Sequence, residues 1–129
     1  MTTRTGRARG KTSAGPLRVC IVGGTGLLGF HAALELLRRG HEVHSVALPD
    51  IELGAWFPRR ITVHEADVGQ LGERRLTELL RGIDALVYAL GPDDRALPAA
   101  PAYDFFHDKL VRQCGRVFAA ARKAGVTRA

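Results

Sequence analysis

Gly23, Gly26 and Gly29 recur at intervals of three in the stretch VGGTGLLG, between an apolar run and a leucine-rich segment. A strand-to-helix turn with glycines so placed can bind a phosphate. Gly23 lets the chain leave the strand sharply. Gly26 has no Cβ, so a pyrophosphate can approach the backbone, and Gly29 lets the helix pack closely on the strand. The N–H groups of Leu27 and Leu28, at the positive end of the helix dipole, then face the anion. A glycine-rich turn can also serve helix–strand packing alone. The flanking elements decide between the two readings.

Leu17–Val22 reads as a buried strand rich in β-branched residues, and Leu27–Arg39 as a helix stopped at Gly40. A second strand is expected over Glu42–Leu48, an irregular connection over Pro49–Arg60, and a third strand over Ile61–Glu65. A short helix over Glu73–Arg81 ends at Gly82, and Ile83–Leu90 is a mostly apolar fourth strand. The loop GPDDRALPAAP precedes a long helix, Tyr103–Ala124, closed by Gly125. Strands alternating with helices imply right-handed crossovers, a parallel sheet and an α/β fold. Strand, glycine turn, helix and second strand together favour nucleotide binding.

On these residues the chain resembles the extended short-chain dehydrogenase/reductases, the NAD-dependent epimerase/dehydratase family. GGTGLLGFHAALELLRRGHEV is similar to the family's first βαβ unit, and the likeness extends from Leu17 to Ala129. It implies a Rossmann-type parallel sheet, strand order 3-2-1-4, with helices on both faces, incomplete beside the whole family fold. It also implies an NAD or NADP cofactor, the choice between them left open. HEADV resembles the end of the family's third strand, which implies that Asp67 contacts adenine with the backbone of Val68 beside it. DALVYALG resembles the fourth strand, which implies that Ala89, Leu90 and Gly91 line the cofactor cleft.

Two positions depart from the family pattern. Where NAD-using relatives carry an acid for the adenosine ribose, this chain has Ala47, followed by Leu48, Pro49 and Asp50. The family's Tyr-x-x-x-Lys pair, in which Lys lowers the Tyr pKa, is not matched: Pro92 and His107 stand four residues after Tyr88 and Tyr103. The resemblance therefore implies the dinucleotide-binding part of an oxidoreductase acting on a sugar nucleotide or similar alcohol, this chain alone being inactive. The alternative is a non-catalytic NAD(P)-binding or sensing module completed by a partner chain. A degenerate remnant that binds nothing is the third reading.

Composition narrows the rest. Of the net charge of +6, four units come from Arg4, Arg7, Arg9 and Lys11, in a first segment without acids. Residues 1–16 read as a basic disordered tail ahead of one domain over 17–129. Basic and aromatic residues are not interleaved, so nucleic-acid binding is not expected. No apolar run approaches the roughly 20 residues that span a bilayer, and a cytoplasmic setting is expected. Cys20 and Cys114 read as reduced and structural, and the histidines as no ligand set. An apolar fourth strand at the sheet edge would invite self-association. Asp93 and Asp94 read as a solvated loop, Arg59 and Arg60 as a surface pair near the adenine side, and Trp56 as a packing residue.

Overall fold

Val19 to Val22 turn alternately to two covered faces, and all four side chains of that run are buried. They belong to β1 (Arg18–Val22) of a computed structural model that describes residues 15–91 and 102–129. Beside it lie β2 (Glu42–Ala47), β3 (Ile61–Glu65) and β4 (Ala85–Tyr88), all parallel, in the order β3-β2-β1-β4. This is the Rossmann-type order that the sequence implies.

Alternation along the strands divides the core in two. Val19, Ile21, Val43 and Ile61 meet Ala33 of α1 (Leu27–Arg38) and Phe57. Cys20, Val22, Val46 and Leu86 meet Leu76 of α2 (Glu73–Leu79), with Leu80 just beyond it, and Val117, Ala120 and Ala121 of the C-terminal helix. Burying each larger aliphatic side chain contributes about 1.5–3 kcal/mol. Helices therefore cover both faces.

Several boundaries differ from the sequence reading. β1 begins at Arg18, β2 ends at Ala47, α1 stops at Arg38, and α2 stops at Leu79. The regular ladder of β4 covers only Ala85–Tyr88, although the Ala89 N–H still donates to the Val22 carbonyl at 2.8 Å. The expected single long helix is three segments: α3 (Ala102–Phe106), a π-helical stretch His107–Arg112, and α4 (Gln113–Ala124). The wider π turns reset the face that α4 presents to the sheet. After α4 the chain turns back at Gly125, whose φ of +95° suits glycine.

The outer edge of β4 is not wholly free. The Leu86 N–H donates to the Arg128 carbonyl at 2.9 Å, and the Thr127 N–H to the Asp84 carbonyl at 3.2 Å. Arg128 thus sits beside Ala85 as a parallel bridge.

On the α2–α4 side, four polar groups run across the sheet toward β3. Arg18 Nε meets Glu42 Oε1 at 2.8 Å, and the same oxygen meets His44 Nε2 at 2.7 Å. His44 Nδ1 then meets His64 Nε2 at 2.9 Å. Burial, and then the neighbouring His44, hold His64 below the ordinary histidine pKa. Among the described residues no cluster of His, Cys, Asp or Glu has the makings of a metal site, and no helix is long and apolar enough to cross a membrane.

Candidate functional site

The glycine turn is tied down on both sides. The Gly23 N–H donates to the Val46 carbonyl of β2 at 2.9 Å, and Gly26 N–H to the Gly23 carbonyl at 3.1 Å. Gly23 has φ +94°, and a Cβ there would lie 2.9 Å from the Ala89 carbonyl group. Gly29 is pressed against the Gly23 carbonyl, with no room for a Cβ. Both glycines are demanded by the fold.

Gly26 is different. Its backbone is extended, at φ −80° and ψ 175°, and among the described residues a Cβ would meet only the Gly23 carbonyl oxygen at 3.5 Å, an ordinary contact. No described residue requires glycine there. Gly26 is also the N-cap of α1, no side chain caps that helix, and its first turn carries no acid. The first intrahelical bond is from Phe30 N–H to the Gly26 carbonyl, so the N–H groups of Leu27 and Leu28 precede the ladder. Their side chains are exposed.

At the carboxyl ends of the strands lies a cleft of about 180 Å³, lined by Leu48, Asp67, Leu90, Gly91, Lys109 and Gln113. Three of these, Asp67, Leu90 and Gly91, are residues that the sequence resemblance marks for the cofactor. Val68 instead turns into the core, and Ala89 lies against Gly23, linking the glycine turn to this side of the sheet. The Asp67 carboxylate accepts the Gly69 N–H at 2.9 Å through Oδ1, which fixes the turn. Arg116 of α4 reaches the same turn, donating to the carbonyls of Val68 and Leu71.

Leu48, Lys109 and Gln113 were not among the residues marked by sequence. Gln113 is buried, and its Nε2 donates to the Tyr88 hydroxyl at 3.2 Å. Burial pushes the Tyr88 pKa up, the Gln113 hydrogen bond works against that, and Cys114 adds to it. Ala47, which the sequence resemblance aligns with the relatives' acid, is buried and offers no polar side chain.

Other residues fall elsewhere. Arg60 lines a cleft with Pro16, Leu37, Gly40, His41 and Glu42, at the amino ends of the strands. Arg59 and Arg60 are an exposed pair, as the sequence suggests, but they immediately precede β3 and so stand at the opposite end of the sheet from the cleft of Asp67 and Gly91. Trp56 packs on Phe30 and Phe57, with ring centroids 5.4 and 5.7 Å apart. Asp93 and Asp94 lie outside the described residues, as does most of the basic tail.

A parallel sheet with a bare glycine turn and a cleft at its carboxyl edge defines a Rossmann-type nucleotide-binding fold. The profile of the NAD dependent epimerase/dehydratase family matches residues 19–129. A UDP-glucose 4-epimerase of Klebsiella pneumoniae is 31% identical over 122 residues, covering 85% of this chain and 84% of that protein. The chain belongs to the NAD dependent epimerase/dehydratase family.

Solved structures agree on the fold. The UDP-glucose-4-epimerase of Stenotrophomonas maltophila, crystallised with NAD and formylated UDP-arabinopyranose, superposes with a TM-score of 0.66 at 22% identity. That match covers 86% of this chain and 35% of the other. The Bordetella bronchiseptica enzyme WbmH, in complex with NAD+, gives 0.65 at 20% identity, covering 87% of this chain and 37% of its own. The chain thus spans little more than a third of the length of these two enzymes.

Proposed function

We propose that this chain binds NAD as the dinucleotide-holding part of an epimerase/dehydratase-type oxidoreductase. The pyrophosphate lies over Gly26, met by the N–H groups of Leu27 and Leu28, with Gly23 and Gly29 setting the turn. The adenine enters the cleft of Asp67, Leu90 and Gly91, beside the backbone of Val68 and Ala89. One observation carries the reading: Gly26 is bare although the fold leaves room for a Cβ. A phosphate oxygen in hydrogen-bond contact with the next two N–H groups is what would need that bare Cα.

When bound, NAD supplies a hydride acceptor. The substrate class we assign to the whole reaction is a sugar nucleotide, following the UDP-sugar named with the Stenotrophomonas enzyme. Hydride transfer also needs an acid/base, and neither described tyrosine is followed by a lysine four residues on. The Tyr88 hydroxyl is engaged by Gln113, with its pKa raised rather than lowered. The role assigned to this chain is therefore binding and orientation of the cofactor, in a cytoplasmic setting.

Calorimetric titration with NAD(H) and NADP(H) tests the assignment. The expected result is saturable NAD(H) binding that Gly26→Val abolishes while the protein stays folded. Absence of heat at millimolar cofactor would remove the binding function.

A further inference from the structure

We propose that the His44–His64 pair is an acid-sensitive latch on β3 that couples cofactor occupancy to pH. Acid opens the pair, loosens the edge strand together with the turn that carries Asp67, and so weakens dinucleotide binding. The inference rests on the assignment of the Asp67 cleft to NAD.

Three strands contribute to the latch. Glu42 Oε1 of β2 takes Arg18 Nε of β1 at 2.8 Å and His44 Nε2 at 2.7 Å. In the parallel register His64 of β3 stands opposite Val46, so it meets His44 on the diagonal. The two rings are stacked, with centroids 5.2 Å apart and planes 11° from parallel. His44 Nδ1 and His64 Nε2 are 2.9 Å apart. Glu65 of β3 and Arg75 and Glu78 of α2 line the cleft beside His64, and Glu78 also meets Arg74.

The hydrogens available fix what this contact tolerates. A carboxylate only accepts, so the Glu42 contact puts a hydrogen on His44 Nε2. One further hydrogen then lies between His44 Nδ1 and His64 Nε2. A first added proton leaves that bond intact, because a cationic His44 donates from both nitrogens, to Glu42 and to a neutral His64. A second sets hydrogens on both facing nitrogens and positive charge on both stacked rings. The contact must then open. Burial, and then the neighbouring His44, hold the His64 pKa down, in keeping with that order.

Opening acts on a strand at the border of the sheet. β3 is an outermost strand and pairs with β2 alone among the described residues. Just past His64 the Ala66 N–H donates to the Ala47 carbonyl at 2.8 Å, and Asp67 with its Gly69 turn follows directly. One wall of the cleft is therefore carried by the strand that the pair holds. A ligand that needs this strand closed favours the pair without its second proton, and by reciprocity its binding expels protons.

The test is calorimetric titration of NAD+ into the full chain at about pH 7.5 and about pH 5.5, either side of the ordinary histidine range. Each titration is run in buffers of different ionisation enthalpy, which counts the protons released. Wild-type affinity should fall at least about fivefold at the lower pH, with protons released on binding. His64→Gln and His44→Gln should bind like the wild type at the higher pH and lose most of the pH dependence. The other histidines remain in each variant, so their contributions cancel in the comparison. At the lower pH and without cofactor, the β3 amides should exchange hydrogen faster in the wild type than in His64→Gln. Melting temperatures show that the variants fold. The same pH dependence in wild type and folded variants overturns the latch, and so does equal β3 exchange. A wild type that binds no NAD at the higher pH overturns the cofactor assignment itself, and this proposal with it.

Discussion

The carbonyl oxygen of Gly23 occupies the space that a Cβ on Gly29 would take. The obstructing atom belongs to the backbone of a turn pinned to β2, so it cannot swing aside. Gly29→Ala should therefore cost about 2–3 kcal/mol in urea unfolding. Gly26→Ala, with open space and an extended backbone, should change stability by less than about 0.5 kcal/mol while weakening cofactor at least about tenfold. Equal destabilisation by both would contradict the division of roles between the two glycines.

Ser45 carries a different cost. It is fully buried, and its Oγ has no hydrogen-bond partner among the described residues. Gly24 is packed directly over it. Ser45→Ala removes a desolvated hydroxyl and keeps the small volume under Gly24. Chemical denaturation should show unchanged stability or a gain of up to about 1 kcal/mol. A marked loss would mean that the hydroxyl has a partner.

The His44–His64 contact makes stability depend on pH. The folded pKa of His64 is lowered from 6.5, so the unfolded chain takes up the proton first as pH falls. Stability should start to decline near the ordinary histidine value and level off only below the folded one. Around this pair stand Arg18, Glu42, Glu65, and Arg75 and Glu78 near α2's face of β3. Glu42 is also held below its ordinary 4.5, by the His44 hydrogen bond first, but its contribution is lost only in stronger acid. Melting at about pH 7.5 and about pH 5.5 should show a larger drop for the wild type than for His64→Gln. Identical drops would remove the pair as the cause.

Cysteine chemistry separates the two thiols. Burial pushes the Cys20 pKa up to about 12 and shields it within β1, whereas Cys114 is partly exposed. Iodoacetamide at neutral pH should label Cys114 alone in the folded protein, and both after denaturation. Mass spectrometry of the peptides reads this directly. Early labelling of Cys20 would show that the sheet opens on that timescale.

The features that could be read from the sequence are the local ones. Glycine spacing, strand period and helix stops follow from steric rules within a few residues, and they give the turn and the parallel α/β class, whereas the strand order comes from the family resemblance. Asp67, Leu90 and Gly91 are marked by the resemblance of HEADV and DALVYALG to the family, and they follow β3 and β4 at the end of the sheet where the cleft lies. Gln113 and Lys109 reach that cleft from the C-terminal helical segment, and their facing depends on a π-helical stretch that the sequence pattern does not announce. The His44–His64 contact depends on strand register between segments 20 residues apart. Arg59 and Arg60 are the exposed surface pair that the sequence suggests, but at the other end of the sheet. In a parallel sheet, residues that precede a strand belong to the edge opposite the ligand, and that inference was open once the sheet was known to be parallel.

The direction of β1 also determines where a label can be placed without disturbing the cleft. The chain enters the sheet at Arg18 and reaches the glycine turn five strand residues later, a rise of about 17 Å. A bead, dye or affinity handle joined ahead of Gly15 therefore meets the described fold at the opposite end of β1 from the glycine turn. Surface capture through that end leaves the cleft facing solution, so immobilised binding assays and solution titrations should report the same affinity.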